Sequence, residues 1–144
     1  MLFRSVFCGS AAAASGGLGM IGAPVHEAGP ARAFAVGGAL VELVVEQQME
    51  KTMGLSAETL HTGTAGTWMK AAKVLTIAGA AGAVLGRRSR ALSVLSGAAL
   101  MAGSFSTRMG VFEAGLASAK DPKYTVVPQR ERVEAGNPVR YQGD

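Results

Sequence analysis

The chain has 144 residues, enough for about one domain, and is 49% hydrophobic although only 6% of its residues are aromatic. Its net charge of +4 comes from basic residues in short clusters between apolar segments and near the C-terminus, without the interleaved aromatics of a nucleic-acid-binding surface. A single cysteine, Cys8, excludes an internal disulfide and a CxxC metal or iron–sulfur motif.

The apolar residues are mostly small. Ala, Gly, Val and Leu supply most of the hydrophobicity, and there are 20 glycines. A soluble core gains its burial energy, about 25 cal/mol per Å² of apolar surface, mainly from larger side chains. Small residues instead let helix backbones approach closely within a bilayer. The composition therefore favours a bundle of membrane helices over a soluble core.

Four apolar segments predict about four membrane-spanning helices. The first, about 5–25, is uncharged and close to the ~20 residues that cross a bilayer. A signal peptide is the alternative because AAAAS resembles a cleavage region, but the apolar run continues beyond it, which favours a span. The second, about 30–49, starts at Pro30, a favoured first-turn residue. The third and fourth, about 67–86 and 90–109, flank the cationic turn GRRSR and predict an antiparallel hairpin.

The predicted fold class is all-α: a multi-pass transmembrane helical bundle over residues 1–109, followed by an interfacial helix end and a basic tail over 110–144. The end of the tail, beyond Pro122, is expected to be disordered or ordered only by a partner. Small residues at four-residue spacing, such as Gly9 and Ala13, are expected at helix contacts. A soluble, alanine-rich four-helix bundle is the alternative, because the second and third segments are short and have charged margins.

Three glutamates recur every fourth residue in the second segment and so share one helix face: Glu42, Glu46 and Glu50. Like charges at this spacing disfavour a helix unless they are solvated, protonated or paired. If the helix begins near Pro30, Glu42 lies about 18 Å along it, where a carboxyl group is a candidate for a quinone pocket or a proton path. Glu42 and Glu46 are the candidates for this role. The simpler expectation for Glu46 and Glu50 is a solvated position at the far interface.

The fourth segment runs into the exit sequence TRMGVFEAGLASAKDPKYTVVPQRER. Met109, Phe112 and Leu116 keep an apolar face, which predicts that the helix continues along the membrane interface. Pro122 disfavours helix at Asp121 and is expected to end the helix there.

This exit sequence resembles the C-terminal end of the polysulfide reductase membrane-subunit (NrfD) family. A looser similarity extends back through RRSRALSVLSGAALMAGS and FCGSAAAASGGLG. The resemblance implies a multi-pass anchor subunit of a bacterial respiratory complex in the inner membrane. Family members are commonly about twice as long, with roughly eight spans, so this chain is expected to be a C-terminal fragment that matches the last four spans.

The resemblance also implies the partners. An anchor of this type holds an iron–sulfur subunit and a molybdopterin catalytic subunit at the membrane and passes electrons between them and a quinone. It binds no cofactor itself, so quinone is the redox partner of the complex, and the chain is a non-catalytic subunit of an oxidoreductase. No catalytic constellation is visible in the sequence. The family's quinone-site residues lie in N-terminal helices and do not carry over to this chain.

The exit sequence supplies the candidates for contact with a partner subunit or the membrane interface. The alternative for Arg108 is an ordinary interfacial arginine that extends its charge to the lipid headgroups. Tyr124 could add a buried anchor to a contact with a partner subunit. The two histidines, His26 and His61, are predicted on opposite membrane faces, which disfavours a shared haem. The interface candidates are Arg108, Glu113, Ser118, Asp121, Tyr124 and Arg130.

Most basic residues fall on the side that carries the N-terminus and the tail, which predicts a cytoplasmic tail by the positive-inside rule. The exceptions are Arg32, Arg87, Arg88 and Arg90. Two other functional classes stay open: a small structural or transport membrane protein unrelated to respiration, and a soluble helical interaction module.

Overall fold

The computed structural model describes residues 2–54 and 58–136 of the chain. The predicted all-α class is confirmed there, since the described ranges contain helices and no strand. A 3₁₀ turn, Gly86–Arg88, joins the fourth helix to the fifth. The helices are α1 (Leu2–Gly22), α2 (Gly29–Met53), the single turn α3 (Glu58–His61), α4 (Gly63–Leu85), α5 (Arg90–Lys120) and α6 (Lys123–Glu134).

The four long helices form an antiparallel bundle. α1 packs on α2 and α4 packs on α5, so the predicted hairpin of the third and fourth segments is confirmed. α5 also packs on α1, and α2 contacts α4 more lightly, which closes the ring. The α1–α2 connection and the Gly86–Arg88 turn lie at one end of the bundle, called here the turn end. The other end carries α3, packed against α4 and α5, and is called the α3 end.

Local chemistry explains where the helices start and stop. Pro30 lies in the first turn of α2, as predicted. Gly54, with φ +53°, follows the last residue of α2 in a conformation that favours glycine. α5 ends at Lys120, and the Asp121 carboxylate accepts a hydrogen bond from the Lys123 backbone N–H at 3.0 Å, at the start of α6. The predicted helix end at Asp121–Pro122 is therefore confirmed.

The end of α1 is completed by a residue from the second hairpin. The Arg90 guanidinium donates hydrogen bonds to the backbone carbonyls of Ile21 and Ala23, and Ser93 Oγ lies 3.4 Å from the Met20 carbonyl. Carbonyls in the last turn of a helix lack intrahelical donors, and a cation there also complements the helix dipole. One arginine of the cationic turn thus serves to cap α1.

Glycines bring the helix backbones into direct contact. A Cβ atom on Gly38 of α2 would lie 2.4 Å from the Ala13 backbone nitrogen of α1, and one on Gly97 of α5 would lie 2.4 Å from the Gly17 carbonyl oxygen. A Cβ on Gly9 would lie 2.8 Å from the backbone nitrogen of the facing residue of α2. No real side chain fits at such distances, so these glycines set the spacing of α1 from its neighbours.

Many large apolar side chains lie on the outside of the bundle, on each of the four long helices. Buried positions are mostly occupied by Ala, Gly, Ser and Thr, with Met and Leu in the minority. Contiguous apolar surface of this kind marks contact with lipid or another protein. The exposed apolar residues include Leu18, Phe34, Leu40, Val44, Val74, Ile77, Val84, Leu95, Phe105 and Phe112.

Two helical stretches, Arg4–Gly22 and Gly63–Arg88, are long and apolar enough to cross a membrane. α2 and α5 are as long, but more polar: α2 carries the three glutamates and α5 a series of serines and threonines.

The tail differs from the predicted disordered segment. Lys123–Glu134 forms α6, which contacts α5, and the described side chains of α6 are mostly exposed. Residues 137–144 lie outside the described ranges. The turn at Asp121–Pro122 thus redirects the chain into a further helix, because the Asp121 side chain supplies a hydrogen-bond acceptor for its first turn.

Candidate functional site

A polar layer crosses the bundle between two apolar clusters. One cluster lies toward the α3 end and the other toward the turn end. Between them, each long helix contributes buried polar side chains. A polar group buried among apolar side chains is unfavourable unless it is hydrogen-bonded. Because such a layer reduces stability, it is the candidate functional site of the bundle. Its members include Ser10, Glu42, Glu46, Thr76, Ser104 and Thr107.

Glu42 lies at the centre of this layer, with 2% of its surface exposed. Its Oε1 atom accepts a hydrogen bond from Thr107 Oγ1 on α5 at 2.7 Å. The Thr107 hydroxyl also lies 3.1 Å from the Gly103 carbonyl, one turn earlier in the same helix. The other carboxyl oxygen, Oε2, is buried and has no hydrogen-bond partner among the described residues. Glu42 therefore has one oxygen fixed and the other available to a proton or a ligand.

A second polar contact joins α1 to α5 in the same layer. Ser10 Oγ donates to Ser104 Oγ at 2.7 Å, and both side chains are buried. In a bilayer, serine hydrogen bonds of this kind hold helices together because no water competes for the hydroxyls.

Glu46 lies one turn nearer the α3 end and is only 3% exposed, so the expectation of a solvated Glu46 is wrong. α2 continues to Met53 and turns this face toward α4, so Glu46 lies inside the bundle. Its Oε1 atom is 3.9 Å from Lys73 Nζ, too far for a hydrogen bond, and has no other partner among the described residues.

Glu50 completes the series at the α3 end. Its Oε1 atom accepts a hydrogen bond from Lys73 Nζ at 2.7 Å and lies 3.6 Å from His61 Nε2. Its side chain is 20% exposed, and that of His61 is about half exposed. We call Glu42, Glu46 and Glu50 the carboxylate ladder. Its carboxyl groups follow one another at about 6 Å of helix rise, from the bundle centre to a surface histidine.

The two sets of sequence candidates lie in different places. Glu42 and Glu46 are brought together in the ladder. The candidates of the exit sequence instead follow the end of α5 and the start of α6: Arg108, Asp121 and Arg130 are exposed, and Glu113 and Ser118 are half-buried. Tyr124 belongs to α6, but its side chain lies outside what the structure describes.

The residues that complete the ladder were not predicted as partners. Thr107 is only the first residue of the exit sequence, and the sequence gives no reason to single out Lys73. Both are recognisable afterwards as polar residues inside apolar helices, where such residues usually face the bundle interior. Ser10 and Ser104 gave no stronger signal than the other serines of α1 and α5.

Among the described residues, no group of three His, Cys, Asp or Glu side chains is placed to hold a metal ion. His26 lies 3.5 Å from Glu27 at the turn end, whereas His61 lies at the α3 end. The two histidines thus lie at opposite ends of the bundle, and their placement on opposite membrane faces stays a prediction.

Comparisons with known proteins add no identity to this geometry. No protein-family model matches the chain, and no curated protein or solved structure matches it. The resemblance to the polysulfide reductase membrane subunits therefore stays a prediction from the exit sequence.

Proposed function

We propose that this chain is an integral membrane subunit of the polysulfide reductase type, built as a four-span bundle whose carboxylate ladder carries protons to or from a quinone. The observation that carries the proposal is the ladder itself, in which two buried carboxyl groups and the half-buried Glu50 lead to the α3 end from a Glu42 oxygen that has no hydrogen-bond partner among the described residues. The respiratory assignment rests on the exit sequence.

The membrane placement is supported by which side chains face outward. Large apolar residues such as Leu40, Val74 and Phe105 are exposed, while Ala, Gly and Ser fill the interior. In water, such surfaces would drive association, whereas lipid covers them without penalty. This distribution disfavours the alternative of a soluble helical module.

The same distribution accounts for the polarity of α2 and α5. Ionisable residues inside membranes face the bundle interior and pair there with other polar groups. Glu42 and Glu46 are buried in this way, and Thr107 of α5 faces Glu42. With these side chains turned inward, α2 and α5 present mainly apolar residues outward, which supports four spans.

The ladder matches what quinone chemistry requires of a membrane subunit. Reduction of a quinone to a quinol consumes two electrons and two protons, and the protons must cross part of a low-dielectric interior. In the proposed complex the iron–sulfur subunit supplies the electrons for this direction, and it accepts them when a quinol is oxidised and the protons move the other way. Glu42, whose Oε2 has no hydrogen-bond partner among the described residues, would deliver one proton at a time toward the quinone and regain each one from the α3 end through Glu46 and Glu50, so that two rounds supply both protons. His61, beside Glu50 and about half exposed, would connect this path with solvent. By the positive-inside rule, this exchange occurs on the cytoplasmic side.

The tail provides the docking surface in this proposal. α6 follows the end of α5 at the α3 end and packs on α5, and Lys123 Nζ lies 3.9 Å from Glu58 Oε2 of α3. The exposed Arg130 of α6 and the exposed Asp121, which precedes α6, are the residues proposed to contact the iron–sulfur subunit. Charged residues at the rim of an interface mainly govern specificity and association rate.

Two experiments test the proposal in order. The full chain should remain in the membrane fraction after alkaline carbonate washing, and its recovery as soluble protein would refute the four-span bundle. A tagged chain in its native host should then copurify an iron–sulfur and a molybdopterin subunit, and deletion of residues 123–144 should release them while leaving the chain in the membrane. Membrane retention without any redox partner would favour the small transport protein instead.

The role of the ladder is tested in the assembled complex. Glu42→Gln and Glu46→Gln each remove one proton-carrying group with little change in shape, and quinone-linked turnover should fall by about 10²-fold. Glu27→Gln is the matched control, because Glu27 is exposed at the opposite end of the bundle. Equal turnover of all three variants and the wild type would show that the ladder carries no protons.

A further inference from the structure

We propose that Arg32 and Arg87 form a binding site for the phosphate group of an anionic phospholipid at the turn end of the bundle. A cavity of about 260 Å³ opens there between the first turns of α2 and the end of α4. This site lies at the opposite end from the exchange point of the carboxylate ladder. The residues that line it are Gly29, Arg32, Ala33, Val36, Val84 and Arg87.

Arg32 is the residue that indicates a bound ligand. It is only 9% exposed, and its Nε and Nη2 atoms are buried without a hydrogen-bond partner among the described residues. A guanidinium presents its donors in a rigid fork that matches carboxylate and phosphate oxygens. A buried charge with unsatisfied donors is strongly unfavourable, so an anion in the adjoining cavity supplies what the protein does not.

Two further features of the cavity also favour an anion. Arg87, in the 3₁₀ turn, lines the same cavity, so two like charges face one space with no acidic residue in its lining. The cavity also adjoins the start of α2, whose preceding residue, Ala28, gives no side-chain cap. The N-terminus of a helix carries partial positive charge and free backbone N–H groups that attract phosphate.

The apolar part of the lining selects a lipid over a free anion. Ala33, Val36 and Val84 continue from the arginines along the bundle, and Val84 is exposed on the outer face of α4. A phospholipid can place its phosphate against Arg32 and Arg87 and an acyl chain along these residues. Basic pockets between membrane helices bind lipid headgroups in this way. The inference rests on the proposed membrane placement but not on the respiratory role.

The test measures lipid binding by the full chain in neutral detergent. Native mass spectrometry should show one phosphatidylglycerol molecule retained by the wild-type chain, with weaker retention of phosphatidylcholine. Arg32→Gln should bind phosphatidylglycerol about ten- to a hundredfold more weakly, the loss expected for hydrogen bonds to a charged group. Arg88→Gln is the matched control, because Arg88 lies in the same turn, is exposed and does not line the cavity.

A second variant keeps the test decisive if Arg32→Gln fails to fold, which circular dichroism would reveal. Arg87 is exposed, so Arg87→Gln should stay folded and also weaken phosphatidylglycerol binding, whereas Arg88→Gln should not. Wild-type binding by folded Arg32→Gln or by Arg87→Gln would overturn the site. Inorganic phosphate that displaces the lipid at equal concentration would overturn the lipid assignment in favour of a free anion.

The outcomes separate this inference from the proposed function. If the chain resists carbonate extraction but all variants bind phosphatidylglycerol equally, the lipid site is refuted and the membrane placement is supported. If the chain is recovered without detergent in the soluble fraction, both the lipid site and the membrane placement are refuted.

Discussion

The contact between α1 and α2 can be tested with two neighbouring glycines on one helix. A Cβ atom on Gly38 would lie 2.4 Å from the backbone nitrogen of Ala13, whereas one on Gly37 would meet no atom within 4 Å. Both glycines lie within α2 and gain the same helix propensity, about 1 kcal/mol, when replaced by alanine. The difference between Gly38→Ala and Gly37→Ala therefore isolates the packing of α1 on α2.

The structure sets the size of this difference. Ordinary van der Waals contact begins near 3.4 Å, so α1 must move away from α2 by about 1 Å to admit the methyl group of Gly38→Ala. The clashing atoms belong to the backbone of α1 and cannot rotate away. A separation of this size removes a quarter to a half of the dispersion energy of each neighbouring contact. Overpacking of this kind destabilises by about 1–3 kcal/mol, so Gly38→Ala should be less stable than Gly37→Ala by that amount.

The assay is unfolding by dodecyl sulfate in mixed micelles, followed by helix content and by the fluorescence of the single tryptophan. Trp68 is half-buried on α4 and packs edge-to-face against Phe105, with ring centres 6.1 Å apart. Gly37→Ala should unfold at the wild-type dodecyl sulfate concentration or a higher one, and Gly38→Ala at a lower one. Coincident transitions for the two variants would refute the close backbone contact of α1 and α2.

Two further predictions concern the polar layer. Thr107→Val removes the hydroxyl that donates to Glu42, leaves a buried acceptor unsatisfied and should reduce the free energy of unfolding by about 1–3 kcal/mol. Ser106→Ala loses only a bond within α5 and should have a smaller effect; equal losses in the dodecyl sulfate assay would contradict the role of the Thr107–Glu42 contact. Lys73→Met removes the hydrogen bond to Glu50 and leaves the buried Glu46 without its nearest cation, so it should destabilise by about 1–3 kcal/mol, less than for a fully buried pair because Lys73 is 32% exposed. Adding Glu46→Gln should recover the part of this loss that comes from Glu46 and leave the part that comes from Glu50, and the absence of any recovery would show that Lys73 and Glu46 are not coupled.

Some ends of the long helices were predictable because local chemistry determines them. Pro30 marks the start of α2, and Asp121–Pro122 marks the end of α5, since proline restricts its own backbone and that of the residue before it. The cationic turn before Arg90 likewise identified the second hairpin. These signals act within a few residues and do not depend on how the helices pack.

The partners in the polar layer were not predictable, because they depend on how each helix is rotated about its axis. Thr107 and Glu42 are 65 residues apart in sequence, and no local pattern relates them. The four-residue spacing placed Glu46 on the same face as Glu42, but only the packing of α2 on α1 and α4 decides that this face points inward. The helical tail was missed because charge and proline content suggested disorder, whereas Asp121 provides the acceptor that starts α6.

The bonds from Arg90 to the end of α1 constrain the order in which the chain can mature. During synthesis, α1 and α2 are made before α5. The Ile21 carbonyl therefore has no Arg90 donor until the ribosome has added 69 more residues. Until that donor arrives, the first hairpin carries exposed acceptors at its end and lacks the α5 surface that covers Gly17. The first hairpin therefore leaves the ribosome as an incomplete intermediate, and a nascent chain stalled before Arg90 should be a better substrate for quality-control proteases than one released whole.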